Sequence, residues 1–220
     1  MTMTEHHPHE VTERLASAET GMQPWLWVPA LRLLAQGDPV DVQDLAGAVG
    51  RPVEEVRAAM ETVPDVEYDG EGRIIGWGLT QRATPHRFEV DGKQLYTWCA
   101  MDTLIFPTLL GAPARVESAD HATGAPVRLR VGASGPTGVE SATAVVSLVN
   151  PDDLSSIRSA FCHQVHFFAS AETAAPWLRD HPGATVIPVA QAYQLATTMA
   201  EQMLTQGSTG TPGNGSGGCC

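Results

Sequence analysis

The order of helix and turn signals between residues 25 and 78 constrains the fold more than any other feature of the sequence. An apolar run at 25–34 and two helical patterns at 41–49 and 52–63 are separated by Gly- and Pro-containing breaks. In both later patterns the apolar residues recur at the three- and four-residue spacing of one helix face. Two short β-like runs then flank an Asp-Gly-Glu-Gly turn. Three helices and a hairpin in this order predict a winged-helix-like N-terminal region over residues 1–80.

The second region, 81–205, mixes strand and helix signals and predicts an α+β domain. Residues 99–110 are expected to be helical up to Pro107. Alternation in PVRLRV predicts a half-buried strand, and the β-branched and aromatic residues of CHQVHFFAS predict another, on which Cys162, Gln164 and His166 share one face. A closing helix is expected at 190–204. Residues 206–220 are a Gly/Ser/Thr-rich stretch with the composition of a flexible tail, ending in Cys219 and Cys220.

The charge balance argues against nucleic acid as a partner. The chain has 13 basic and 25 acidic residues and a formal net charge of −12, and residues 1–80 alone contain five basic and 14 acidic residues. The third predicted helix, where a winged helix would read DNA, has three glutamates against Arg57. Because phosphate contacts dominate DNA affinity, this surface would repel DNA. We therefore expect the N-terminal region to be a scaffold rather than a repressor domain.

The sequence indicates a cytoplasmic protein with reduced thiols. The N-terminus has neither a basic start nor an apolar run, so no signal peptide is expected, and no stretch is apolar enough to span a membrane. Hydrophobic residues make up 43%, as in ordinary globular proteins. Without an export signal, the four cysteines, Cys99, Cys162, Cys219 and Cys220, are expected to be free thiols. Four free thiols indicate thiol chemistry or soft-metal binding.

Cys99 and Asp102 form the first candidate site. If their segment is helical, the three-residue spacing places both side chains on one face. Apolar neighbours would raise the carboxyl pKa of Asp102, so that it could hold and donate a proton near neutrality. The alternative is a buried structural cysteine beside an acidic residue at a helix N-terminus, which is common in any fold. Spacing alone favours this structural alternative.

Metal binding is open to several other residue sets. A zinc site could use Cys99 and Cys162 with His163 or His166, but no CxxC or HxxxH spacing supports it. Two adjacent thiols at a chain end, Cys219 and Cys220, could capture a soft cation, or could be incidental. The N-terminal His6, His7 and His9 could bind metal weakly, but an unstructured polar terminus explains them better.

Two separate motifs resemble those of the organomercurial (alkylmercury) lyases. LYTWCAMDTLIFPTLLG at 95–111 resembles the signature of that family, and FCHQVHFFAS, preceded by VNPDD, resembles its second cysteine segment. The likeness extends over about residues 25–204. It implies a winged-helix-like region followed by an α+β catalytic domain of small antiparallel sheets with surrounding helices. It also implies that Cys99 and Cys162 bind mercury and that Asp102 is the catalytic aspartate.

The same resemblance implies protonolysis of a carbon–mercury bond, in which R–Hg⁺ and a proton give R–H and Hg²⁺. No organic cofactor is expected, because mercury arrives as substrate, and low-molecular-weight thiols or a mercuric reductase would remove Hg²⁺. The chain has His163 where some members have a further cysteine, and it has no cysteine between Cys99 and Cys162. Two rival functions remain: a metal-responsive winged-helix regulator and a soft-metal-binding protein that sequesters without cleaving.

Overall fold

A computed structural model describes Arg14, Leu15 and residues 23–209, with side chains up to residue 207. The helices are α1 (Pro24–Leu34), α2 (Val42–Val49), α3 (Val53–Thr62), α4 (Ala100–Leu110), α5 (Ile157–Ala160), α6 (Ala171–Asp180) and α7 (Val189–Thr209), with a 3-10 helix at Cys162–Gln164. The first strands are β1 (Glu67–Tyr68), β2 (Ile74–Trp77), β3 (Leu79–Thr80), β4 (His86–Val90) and β5 (Lys93–Thr97). The later strands are β6 (Ala114–Ala119), β7 (Pro126–Gly132), β8 (Gly135–Thr137), β9 (Val145–Leu148), β10 (Phe167–Phe168) and β11 (Thr185–Pro188).

The three N-terminal helices and the β1–β2 hairpin form the predicted helix-turn-helix region with its wing. Helix α1 begins with Pro24, whose missing N–H costs nothing in the first helical turn. Helix α2 ends at Gly50, which adopts the left-handed conformation with φ 66° that a non-glycine residue adopts only at a cost. Val40 pairs with Ile74 of the hairpin, so the wing folds back on the helices. The helix and hairpin prediction for this region is therefore confirmed.

One antiparallel sheet continues from the wing into the second region. Its strand order is β1-β2-β3-β5-β4-β6-β7-β8, and a separate three-stranded sheet has the order β10-β9-β11. The link is the pairing of Leu79 and Thr80 in β3 with Thr97 and Tyr96 in β5. The α+β fold class is confirmed, and the wing belongs to the same sheet as the strand that leads to Cys99.

Helix α4 forms the centre of the core. Nine of its residues are buried on all sides of the helix, including Asp102 and Phe106, as expected for a helix that is apolar all round. Helix α7 packs against α4, and α1 packs against α7. Cys99 and Asp102 consequently lie at the N-terminal end of a helix that is fully enclosed by other elements.

Four expectations about the elements were wrong in detail. Helix α4 continues through Pro107 to Leu110, because packing on all sides compensates for the hydrogen bond that proline cannot donate. The Cys162 segment is a 3-10 helix rather than a strand, since only Phe167 and Phe168 pair with β9. Cys162, Gln164 and His166 therefore do not share a strand face. The closing helix α7 extends to Thr209, past the point where the tail was predicted to begin.

None of the helices in the described part of the chain is long and apolar enough to cross a membrane.

Candidate active site

Cys99 and Asp102 meet through a capping box at the start of α4. Cys99 is the N-cap residue, with extended backbone, and its sulfur accepts a hydrogen bond from the backbone N–H of Asp102. In return, the carboxylate of Asp102 accepts a hydrogen bond from the backbone N–H of Cys99 at 3.2 Å. The two residues are thus held together by the reciprocal bonds of a helix N-terminus, and not by sharing one helix face as the spacing suggested.

Cys162 reaches the same place through backbone pairing. The N–H of Ala100, directly after Cys99, donates to the carbonyl of Val165 at 3.1 Å, which joins the start of α4 to the segment that carries Cys162. That segment turns tightly, because the N–H of Gln164 donates to the carbonyl of Phe161 at 2.9 Å. Two segments 63 residues apart in sequence are in this way fixed side by side.

The three candidate residues converge on one point. The ligand atoms of Cys99, Asp102 and Cys162 all lie within 4.8 Å of one another. All three side chains are buried, with exposed fractions of 0%, 8% and 3%. Among the described residues, no other group of three or more Cys, His, Asp or Glu side chains has this geometry. The two sulfur atoms and one carboxylate oxygen can therefore coordinate a single soft cation.

Burial brings the pKa of the Asp102 carboxyl group close to neutrality. Loss of water contact raises its pKa from 3.8 to about 7, although hydrogen bonds from Cys99 and from the backbone of Trp98 oppose the shift. A carboxyl group with this pKa can accept a proton and donate it again at physiological pH. The sequence-based expectation that apolar neighbours would raise this pKa is confirmed.

The two thiols resist ionisation to different degrees. Burial and the hydrogen bond to Cys162 raise the pKa of Cys99 well above its ordinary value. The hydrogen bond from Cys99 lowers the pKa of Cys162, and burial with the nearby Asp102 outweighs this, so the pKa of Cys162 is also raised. Both residues are therefore thiols in the free protein. A cation or a base must remove their protons.

The raised pKa of Asp102 makes folding stability depend on pH, and Asp102→Asn should remove that dependence. The folded carboxyl group titrates at about pH 7 and the unfolded one near 3.8, so stability falls as pH rises between these values. From pH 5 to pH 8 the wild type should lose roughly 3 kcal/mol relative to the asparagine variant. Urea unfolding of both mercury-free proteins at the two pH values measures the free energy of unfolding. The contributions of the other titrating groups are the same in the two proteins and cancel when the proteins are compared. Parallel pH dependences would contradict the assigned protonation.

An apolar cavity leads to the site. Cys162 and Asp102 form part of its wall, and the rest is almost entirely apolar, with Trp27, Trp77, Trp98, Met199 and Met203 among the lining residues. Leu15 from the N-terminal segment and Phe161 beside Cys162 complete it. The sequence patterns did not identify these lining residues. In the sequence these lining residues have the spacing of ordinary apolar core residues. They come close to the two thiols only because α1 and α7 pack against α4.

The other candidate residues lie apart from this group or outside the described chain. His163 is exposed, and His166 stacks on His121 with ring centroids 3.7 Å apart. Neither histidine joins Cys99 and Cys162, so the geometry gives no support to a zinc site built from these residues. Cys219, Cys220, His6, His7 and His9 lie outside the described residues.

The site combines two buried thiols with a carboxyl group that can supply a proton. This combination defines a class of protein that binds a soft metal through thiolates and has a proton donor beside it. A family model described as alkylmercury lyase matches residues 79–201, and one described as the helix-turn-helix domain of alkylmercury lyase matches residues 8–78. The chain belongs to the alkylmercury lyase family.

Curated relatives agree with this assignment, and a solved structure has a similar fold. The chain is 55% identical to an alkylmercury lyase from Streptomyces lividans, over 96% of this chain and 97% of the relative. It is 46% identical to one from Staphylococcus epidermidis, over 96% and 95% of the two chains. The fold is similar to the crystal structure of the mercury-bound form of MerB2, with a TM-score of 0.72 and 22% identity, over 89% of this chain and 98% of that one.

Proposed function

We propose that this chain cleaves the carbon–mercury bond of organomercurials by protonolysis, with Cys99, Cys162 and Asp102 as the reacting groups. The observation that carries the proposal is the convergence of two buried thiols and one protonatable carboxyl group within 4.8 Å. Thiolates select soft cations such as mercury, and protonation of carbon requires an acid within reach of the bond. The apolar cavity beside Cys162 suits the organic group of the substrate.

The reaction needs one proton for carbon and releases one other. One cysteine thiol transfers its proton to the Asp102 carboxylate as its sulfur bonds to the mercury of R–Hg⁺. The second thiol loses its proton to solvent as its sulfur joins. Two sulfur donors load the carbon with negative charge, and Asp102 returns its proton to that carbon as the carbon–mercury bond breaks. The products are R–H and Hg²⁺ held by both thiolates, with an oxygen of Asp102 beside them.

Release of Hg²⁺ requires other thiols, because a buried two-thiolate chelate dissociates slowly. Low-molecular-weight thiols of the cytoplasm are the proposed acceptors, and a mercuric reductase is a proposed partner. The protein needs no organic cofactor in this scheme. Nucleic acid has no part in the proposed function. The N-terminal region has a net charge of −9, from five basic and 14 acidic residues, and the third helix has a largely acidic surface, so both would repel phosphate groups.

Hydrocarbon release tests the proposal directly. Purified protein incubated with methylmercury and excess cysteine should produce methane over many turnovers, measured by headspace gas chromatography. Mercury bound stoichiometrically without methane would identify a sequestering protein instead. Salt-sensitive binding to an operator DNA would favour the metal-responsive regulator.

Deleting residues 210–220, which leaves helix α7 whole, tests whether Cys219 and Cys220 take part in mercury transfer. Because this deletion keeps every described residue, we expect unchanged methane release when small thiol is in excess. When thiol is scarce, removal of Hg²⁺ should slow several-fold, because a nearby thiol pair raises the effective concentration of acceptor. Turnover is measured at high and low cysteine concentrations, with Cys219→Ser/Cys220→Ser as the matched control. Equal rates at low thiol would leave the tail without a role.

A further inference from the structure

The helix that leads to Cys162 is a single turn, although Leu154, Phe161 and Val165 around it are buried. Helix α5 has four residues, none of them buried, and Cys162 follows it after Phe161. A helix of one turn is not stable by itself in water, because nucleation costs more than one turn of hydrogen bonds returns. The Ala100–Val165 hydrogen bond holds the chain after Cys162, and the chain before Cys162 depends on what holds α5 from outside.

Asp65, between α3 and β1 in the N-terminal region, provides that attachment. Its two carboxylate oxygens accept hydrogen bonds from the Ser156 hydroxyl at 2.9 and 3.0 Å, and one of them also accepts from the backbone N–H of Arg158 at 3.1 Å. Ser156 is the N-cap residue of α5, and its hydroxyl oxygen accepts from Ser159 in turn. One carboxylate thus fixes both the cap and the first turn of the helix that precedes Cys162.

The backbone of Asp65 is strained where it makes these bonds. Its φ is +66°, in the left-handed region that non-glycine residues enter at a cost. The other described non-glycine residue with positive φ is Asp91, which precedes Gly92 in the β4–β5 hairpin turn, where such angles are usual. Asp65 follows Pro64 in the turn between α3 and β1, and at this angle its carboxylate reaches Ser156 and Arg158.

A second carboxylate of the N-terminal region reinforces the same attachment. Buried Glu67 of β1 forms an ion pair with Arg158 at 2.6 Å and accepts a hydrogen bond from Thr80. The guanidinium group of Arg158 lies 4.5 Å from the ring centroid of Trp98, the residue before Cys99. Arg158, four residues before Cys162, is therefore held against β1 and in turn contacts Trp98 beside Cys99.

We propose that Asp65 is a positioning residue for the reaction. The N-terminal region holds α5 through Asp65, and this sets the place of Cys162 opposite Cys99 and Asp102. The inference rests on the proposed function, since it assigns Asp65 to the geometry of that site. It also gives an acidic helix-turn-helix region a use other than DNA binding.

Asp65→Gly separates positioning from stability. Glycine accepts a positive φ without strain, and this offsets part of the stability that is lost with the hydrogen bonds to Ser156 and Arg158, so the melting temperature should fall by no more than about 5 °C. We expect kcat for methane release to fall at least about tenfold with KM within about twofold, because small misplacements of a reacting group cost large factors in rate. Asp91→Gly makes the same backbone change in a hairpin turn and should leave kcat unchanged.

Asp65→Asn should recover most of the lost kcat, because asparagine tolerates the left-handed conformation and keeps one oxygen acceptor. Ser156→Ala should lower kcat in the same direction, and the double variant Asp65→Gly/Ser156→Ala should lose less than the product of the single losses. Wild-type kcat in Asp65→Gly, or losses that follow the melting temperature across the variants, would overturn the proposal.

Retention of inorganic Hg²⁺ provides a readout that does not require turnover. With Cys219 and Cys220 replaced by serine, the chelate formed by Cys99 and Cys162 is titrated with cysteine as competitor. Asp65→Gly should release Hg²⁺ at cysteine concentrations about tenfold lower than the wild type, and Asp65→Asn should not. If the wild type released no methane, the proposed function would fail, and this titration would still decide whether Asp65 positions Cys162. Equal retention in all three proteins would refute it.

Discussion

Asp102→Asn is expected to bind organomercurial and leave the carbon–mercury bond intact. Asparagine keeps the oxygen that accepts from the Cys99 N–H, so the capping box and the position of the thiols are retained. It has no proton that it can donate to carbon. Methane release should therefore fall by about 10²- to 10⁴-fold, the usual contribution of a general acid. Single-turnover gas chromatography with methylmercury measures the loss.

Two controls distinguish the loss of the proton donor from a loss of binding or folding. With Cys219 and Cys220 replaced by serine, mercury content after gel filtration should remain one per protein, which shows that the variant still binds. Asp91→Asn, at the exposed hairpin turn, should release methane at the wild-type rate. Methane from Asp102→Asn at a rate close to that of the wild type would remove Asp102 as the proton donor.

Cys99→Ser and Cys162→Ser should each abolish turnover, because neither sulfur alone can load the carbon with enough electron density for protonation. Serine is a good N-cap residue, so Cys99→Ser should fold with normal stability. Hard hydroxyl oxygen is a poor ligand for a soft cation, and each variant should lose the chelate while keeping one reactive thiol. We expect methane release below about 10⁻³ of the wild-type rate, an order-of-magnitude figure for the loss of a nucleophilic group.

The tail thiols must be removed for this comparison. In a background of Cys219→Ser/Cys220→Ser, the number of mercury atoms retained against excess cysteine should be one in the parent and zero in either variant. Substantial methane release by one of the two variants would remove the role assigned to that cysteine and leave the other in place.

Local patterns in the sequence predicted the N-terminal elements because each signal there comes from residues that are close together in the sequence. Gly50 ends a helix because it accepts positive φ, and apolar residues at helical spacing mark the buried stripes. The resemblance to the family predicted the three residues of the candidate site, whereas the spacing of Cys99 and Asp102 alone favoured a structural role. Their contact is a matter of tertiary structure, since it depends on the hydrogen bond between Ala100 and Val165.

Other features could not be predicted, because they arise from partners distant in sequence. CHQVHFF has the composition of a strand, yet only its last two residues find a partner strand, and the rest turns to place Cys162. Pro107 ordinarily breaks a helix, and packing around α4 overrides that preference. The attachment of Ser156 to Asp65 spans 91 positions and leaves no local signal.

The shared sheet makes the two regions of the chain a single cooperative unit. Strand β3 pairs with β5, and the N–H of Trp98 donates to the carbonyl of Gly78 at 2.9 Å, so the wing supplies an edge and an acceptor directly beside Cys99. A chain cut between the two regions would expose an unpaired strand edge next to the thiols, a surface that invites aggregation. If the N-terminal region were exchanged between relatives, β3 would have to be exchanged together with its partner strand β5. Evolutionary change in this region is limited by the need to keep that pairing.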